Sequence, residues 1–203
     1  MAKKIGPRHK LCRRLGACLW NSSRCPSVKR PFPPGQHGHS GGKRKLSVYG
    51  QQLQEKQKIR THYGLLERQM RKTFEKAQRM GGVTGTNLLA LLESRLDCVV
   101  YRMGFANTIS GARQYVVHGH IRIDGKKVDR PSFRVTPGMA VSIAEKSRTI
   151  PAIANGVASP PHLAPEYLER PVDSFEGKMV STPNLETIPF KADTQAVIGF
   201  YSR

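Results

Sequence analysis

His9, Cys12, Cys18 and Cys25 follow one another as His-x2-Cys-x5-Cys-x6-Cys. Imidazole nitrogen and thiolate sulfur are the ligands that tetrahedral zinc takes, and it takes four of them. The later spacing is irregular for such a site. The competing reading is three unrelated thiols in a loop that a bound polyanion orders. No cofactor is therefore expected, with zinc at these four residues as the alternative. Cys98 lies in a helical pattern beside Val99 and Tyr101 and reads as core. With no export signal in view, disulfides are not expected.

A second constellation runs from Ser94 to Val128. Leu96, Val99, Val100, Ala112 and Val116 pack two short helices, which leaves Arg113, Gln114 and His118 facing outward. Asp124-Gly125 is a hairpin turn signal, because a type I′ turn needs positive φ at both central positions. The hairpin tip adds Lys126 and Lys127. Arg and Lys neutralise phosphates, while Gln and His can hydrogen-bond base or ribose edges. For Asp97 the plain alternative is an ion pair with Arg95 or Arg102, and for Arg102 a solvated charge.

The elements that carry these residues follow from charge and periodicity. The chain has 203 residues and a formal net charge of +20. Residues 1–80 hold 20 basic and 3 acidic residues, whereas 151–203 hold 4 and 6. So one-sided an excess repels itself unless a polyanion neutralises it, and a nucleic-acid backbone is the obvious one. A membrane is the rival. No stretch approaches the ~20 apolar residues of a spanning helix, and Leu11 to Trp20 carries Arg13, Arg14 and Gly16 where a signal needs an apolar run. The expectation is a cytoplasmic protein with no membrane partner.

The fold class expected is α+β. Residues 1–45 read as an extended basic arm, rich in Pro and Gly and without an acidic residue. Such a segment cannot offset its chain entropy by burial and should be ordered by RNA. Lys3, Lys4, Arg8, Lys10, Arg13, Arg14 and Arg44 are its candidate RNA contacts. Residues 46–92 form a helical domain that starts at an N-cap, Ser47. Leu66, Met70, Phe74 and Ala77 make an amphipathic stripe, and a further helix runs from Leu88 to Met103. Residues 93–148 form a small RNA-binding domain of two short helices and short antiparallel strands, Phe133–Val135 among them. Residues 149–203 form a Pro-rich segment with one short helix at Leu163–Arg170 and a terminal strand at Ala196–Tyr201.

Several motifs then point one way. The stretch 94–128 resembles the S-four RNA-binding module. Gly6-Pro7 with Arg13-Arg14, Pro33-Pro34-Gly35-Gln36-His37-Gly38, Tyr49-Gly50-Gln51-Gln52-Leu53 and Asn87-Leu88-Leu89-Ala90-Leu91-Leu92-Glu93 resemble, in order, the bacterial small-subunit ribosomal protein S-four family. Continuous similarity covers roughly residues 1–148; the tail from Thr149 matches less well. The resemblance implies direct binding of small-subunit rRNA at a multi-helix junction, early in subunit assembly. It implies one copy per ribosome, a place beside the path where messenger RNA enters, contacts with neighbouring small-subunit proteins, and an influence on decoding accuracy. Some members repress translation of their own message. It extends RNA contact to Gln36 and His37, and to Lys56, Lys58, Arg68, Arg71 and Lys72. Some members carry an N-terminal zinc site built from two Cys-x2-Cys-like pairs; here the first pair is His-x2-Cys, the later spacing differs, and the loop from Cys12 to Pro33-Pro34 is shorter than in those members.

Two other classes compete with this one. Arg95-Leu96-Asp97 resembles the Arg-Leu-Asp of pseudouridine synthases. Asp97 is expected mid-helix within the RNA module, the 55 residues after Arg148 are too few for a catalytic domain, and no second acid, base or nucleophile group stands near. No enzyme is expected. A free RNA chaperone fits the basic arm but not the ordered motifs.

Overall fold

A computed structural model describes residues 7–20, 25–39 and 46–202, with the side chain of Arg8 excepted. The chain forms two compact units, residues 1–71 with 192–203, and residues 72–191. The fold is α+β. No helix among the described residues is long and apolar enough to cross a membrane.

In the first unit, α1 (Arg8–Leu15) buries Cys12 and Leu15 and exposes Lys10 and Arg14. The i, i+3 and i, i+4 spacings separate the two faces. Gly16, at φ 65°, ends the helix with its N–H on the Cys12 carbonyl. A short α2 (Pro26–Lys29) follows. The arm is thus helical and partly buried where it is described, rather than extended. Leu19 and Cys25 join Cys12 and Leu15 in the interior, and Gln54 donates to the Leu15 carbonyl. These four buried side chains give the segment a small apolar centre of its own.

The next helix, α3 (Val48–His62), starts where expected, with Ser47 Oγ accepting the Gly50 N–H at 3.2 Å. It buries Lys56, Ile59 and His62 along one edge. The helix α4 (Glu67–Arg79) buries Met70, Phe74 and Ala77, so three of the four stripe positions hold; Leu66 precedes the helix and is exposed.

In the second unit, the single helix expected from Leu88 to Met103 is two. One is α5 (Thr84–Glu93), the other α6 (Leu96–Arg102). The break has a tertiary cause. Arg95 turns extended (φ −68°, ψ 140°) and forms an isolated antiparallel bridge with Arg134. Val135 N–H donates to the Ser94 carbonyl and Leu96 N–H to that of Phe133, both at 2.8 Å. The strand expected at Phe133–Val135 is reduced to this bridge. Asp97 accordingly stands in the first turn of α6, not mid-helix.

Next comes α7 (Ile109–Val117), capped by Thr108 Oγ1 on the Gly111 N–H at 3.0 Å. The strands are β1 (Ile121–Ile123), β2 (Lys126–Lys127), β3 (Ala140–Ile143), β4 (Leu168–Glu169) and β5 (Glu176–Met179). They form one antiparallel sheet in the order β2-β1-β3-β5-β4. Ile121, Ile123, Val141, Ile143 and Met179 meet Leu96, Val99, Val100, Ala112 and Val116 in one core. The hairpin turn is as predicted, with Asp124 at φ 48° and Gly125 at φ 79°.

Two expectations for the tail are corrected. The helix is α8 (Pro151–Ala158), begun by a proline at its first position, where the missing N–H costs nothing; Leu163–Arg170 instead feeds β4. The expected terminal strand is a helix, α9 (Thr194–Tyr201), with Asp193 Oδ1 accepting the Ala196 N–H at 3.0 Å. Its aromatic and branched residues favour strands, but Val197 is buried and Tyr201 lies four residues on, a helical spacing that serves packing on α3.

Candidate functional site

The N-terminal thiols and imidazole do converge. One ligand atom each from His9, Cys12 and Cys25 lie within 4.8 Å of one another. His9 Nδ1 is 3.2 Å from Cys25 Sγ and 4.0 Å from Cys12 Sγ. Two ligands of one tetrahedral zinc stand about 3.5 Å apart, which these distances bracket. Burial alone would raise the Cys25 thiol. Hydrogen bonds from the Ser27 hydroxyl and backbone, then from Cys18 and His9, outweigh it and bring Cys25 down to about 6. Cys12 is pushed up to about 11 by burial, with Cys25 and Cys18 adding to the rise. Cys18 interacts with both thiols but lies outside the three residues that converge, so three donors of a kind that suits zinc are in place and Cys18 is the nearby candidate for a fourth. Helix α1 supplies His9 and Cys12 one turn apart, while Cys25 arrives as the residue before α2.

Beside this cluster the arm presents its candidate contacts. Lys10 and Arg14 share the exposed face of α1. Arg13 points inward: its guanidinium lies 4.8 Å from the Phe32 ring centre and donates to the Phe32 and Pro33 carbonyls at 3.1 and 3.2 Å. It anchors the turn that carries Gln36 and His37, both exposed. Gly38 is required there, since a Cβ would sit 1.9 Å from the Pro33 carbonyl oxygen. Lys3, Lys4 and Arg44 lie outside the described residues, as does the side chain of Arg8.

Of the two candidate lysines of α3, Lys56 serves the fold and Lys58 is partly exposed. Lys56 is buried, pairs with Glu67 at 2.9 Å and lies 4.2 Å from the Phe200 ring centre. Lys58 pairs with Glu55. Arg68, Arg71 and Lys72 are exposed on α4.

In the second unit Gln114 is exposed on α7 and His118 just after its end, and Lys126 and Lys127 are exposed on β2. Gly119 (φ 77°) lets them come together: a Cβ there would meet Lys127 Cε at 2.2 Å. His118 lies 5.9 Å from His120, which burial and then His118 hold below the usual histidine range. Arg113 is not an outward residue. Its Nε and Nη2 donate to Asp97 at 3.0 and 2.6 Å. Asp97 also takes Arg95 as a fork, at 3.1 and 2.9 Å, and accepts the Cys98 N–H at 3.0 Å. Its carboxylate is buried and fully engaged, which is the ion-pair reading and not that of a catalytic base.

Arg102 is no solvated charge. It lies buried against Glu93, with Nε on Oε2 at 2.9 Å and Nη2 on Oε1 at 2.6 Å. Glu93 also accepts from Cys98 Sγ at 3.0 Å and Tyr167 OH at 2.9 Å. Burial and then Glu93 push both of those groups up, so they stay neutral donors. Arg95, Arg134 and Arg122, the last exposed on β1, were missed as candidates. For Arg122 the alternation Ile-Arg-Ile gave the signal; for Arg95 and Arg134 only their pairing across the chain shows it.

Comparison with known proteins covers the same span. The ribosomal protein S4/S9 N-terminal domain matches residues 3–93 and the S4 domain residues 94–141. The chain is 49% identical over 203 residues to the small ribosomal subunit protein uS4 of Brevibacillus brevis, all of both chains being covered. It is 46% identical over 209 residues to the protein of that name from Thermoanaerobacter sp., and 47% over 206 to that from Roseiflexus castenholzii, again with both chains fully covered.

Proposed function

The chain belongs to the ribosomal protein S4 family, and on that premise we propose that it is a non-catalytic constituent of the small ribosomal subunit that binds small-subunit rRNA directly and early, organising a multi-helix junction. It works in the cytoplasm, in one copy per ribosome, beside neighbouring small-subunit proteins and the path by which messenger RNA enters, and it contributes to decoding accuracy. The observation that carries the binding reading is the exposure of basic side chains in each unit: Lys10 and Arg14 in one, Lys126 and Lys127 in the other, with Gln36, His37, Gln114 and His118 among them. Cations hold phosphates, and the amide and imidazole groups read ribose and base edges. Chemical footprinting of the rRNA in purified small subunits, with and without the protein, should show protection confined to one junction. Protection scattered along the RNA would count against this role.

His9, Cys12, Cys18 and Cys25 would hold one zinc ion. The ion would cross-link α1 to the start of α2 and so fix the surface that presents Lys10 and Arg14. Metal analysis of purified protein should give one zinc per chain, falling well below one half on Cys12→Ser. Wild-type protein without stoichiometric zinc would end the idea.

A further inference from the structure

The four cysteines are not equivalent. Cys98 is sealed in the second unit, its thiol donating to Glu93. Of the three in the first unit, Cys12 and Cys25 are buried and Cys18 is half-buried. Cys18 donates a hydrogen bond to the Cys25 sulfur, and His9 Nδ1 stands 3.2 Å from that same sulfur. The backbone holds Cys18 in this place from both sides. Gly16 ends α1 two residues before it, and Leu19, the next residue, is buried with its carbonyl accepting from His62 Nδ1 of α3 at 2.5 Å.

Thiols that meet oxidants are partly exposed, lie in electropositive surroundings and stand beside a second thiol that resolves the first product. Cys18 has all three. It is the accessible member of the group, residues 1–45 contain no acidic residue, and Cys25 is its hydrogen-bonded neighbour. Disulfides inside cells are transient ones of this reactive kind and not structural cross-links. The buried Cys12 and Cys98 lack the access that the first step needs.

We propose that Cys18 and Cys25 are a peroxide-reactive pair, Cys18 meeting the oxidant and Cys25 closing a reversible disulfide on it. In the first step the Cys18 sulfur attacks one peroxide oxygen and the O–O bond breaks. The departing hydroxide takes the thiol proton as water, and Cys18 becomes a sulfenic acid. In the second, the Cys25 sulfur attacks the Cys18 sulfur, its proton passing to His9 Nδ1, and hydroxide leaves the sulfenic acid to be protonated to water. Two thiols are oxidised and one peroxide is reduced to two waters. The bond occupies two of the four candidate metal donors, so oxidation and metal loading exclude each other. The pair itself needs no metal and no RNA.

The experiment treats the purified full chain with a molar excess of hydrogen peroxide and maps its cysteines by non-reducing tryptic digestion and mass spectrometry. Trypsin cuts after Arg14, Arg24 and Lys29, so Cys12, Cys18 and Cys25 fall on three different peptides. Most chains should carry the Cys18–Cys25 linkage, with Cys12 and Cys98 still thiols, and dithiothreitol should restore all four. Trp20, the chain's one tryptophan, lies edge-on to His9 at 6.1 Å, so its fluorescence should fall with peroxide and recover with dithiothreitol. Cys18→Ser, at a half-buried position that tolerates the change, should lose both the linkage and the fluorescence response. A Cys12–Cys25 linkage in the wild type, a reversible disulfide that persists in Cys18→Ser, or thiols left unreacted or carried to sulfonic acid would each overturn the proposal. A chain purified without zinc that still forms the Cys18–Cys25 bond supports it and removes the metal reading alone.

Discussion

Glu93→Ala should destabilise the RNA-free protein by about 3–5 kcal/mol, because it strands the Arg102 charge in the interior. Glu93 is fully buried and Arg102 only 5% exposed. Water cannot replace the lost carboxylate, and Tyr167 and Cys98 lose their acceptor at the same time. The residues tied by this carboxylate come from α5, α6 and the segment before β4, so the loss loosens three places at once. Urea unfolding followed by far-ultraviolet circular dichroism measures the change. A double variant, Glu93→Met with Arg102→Leu, should lose less than the two single changes added together, since no charge is left unpaired. A cost below about 1 kcal/mol for Glu93→Ala would show that the pair does not hold the unit together.

The second large effect is on RNA affinity. Lys10, Arg14, Arg68, Arg71, Lys72, Lys126 and Lys127 are all exposed. If most of the seven neutralise phosphates, affinity for refolded small-subunit rRNA should fall by about 10³–10⁵ between 50 and 200 mM salt. Counterion release sets this figure: each neutralised phosphate frees a condensed cation, and added salt opposes that release. Lys126→Gln with Lys127→Gln should flatten the slope by about 2, provided both touch the backbone. A wild-type change of less than tenfold over that range would mean that these cations do not face the RNA.

How much of this could be read from the sequence depends on whether the cause is local. Ser47, Thr108 and Asp124-Gly125 act through their nearest neighbours, and the cap at Ser47 and the turn at Asp124-Gly125 stood where predicted. The stripe Met70, Phe74 and Ala77 needed only a period of three to four. The break between α5 and α6 did not follow from any local signal, because the apolar period continues through it; the segment near Arg134, about forty residues on, breaks the helix by pairing with Arg95. Similarly, α9 carries strand-favouring residues, and its helical form follows from packing on α3.

The candidate interface divides in the same way. Lys126, Lys127 and Gln114 could be placed outward from turn chemistry and period alone. Lys56 and Arg113 could not, because each is drawn inward by one acid: Glu67 eleven residues away for Lys56, Asp97 sixteen residues away for Arg113. Few acids in the sequence do not mean few ion pairs when one acid serves two cations, as Asp97 does for Arg95 and Arg113 and Glu67 for Lys56 and Arg60. The candidate metal ligands were legible as residue types, but their irregular spacing concealed the convergence of His9, Cys12 and Cys25 that α1 and the chain's return before α2 produce.

The position of α9 bears on synthesis. Residues 192–203 belong to the same unit as residues 1–71, and Phe200 and Tyr201 cover Lys56 and Glu67. A growing polypeptide emerges from one end, so this lid is made only after the whole of 72–191 has been produced. Until then α3 waits uncovered, and it acquires its final neighbour last.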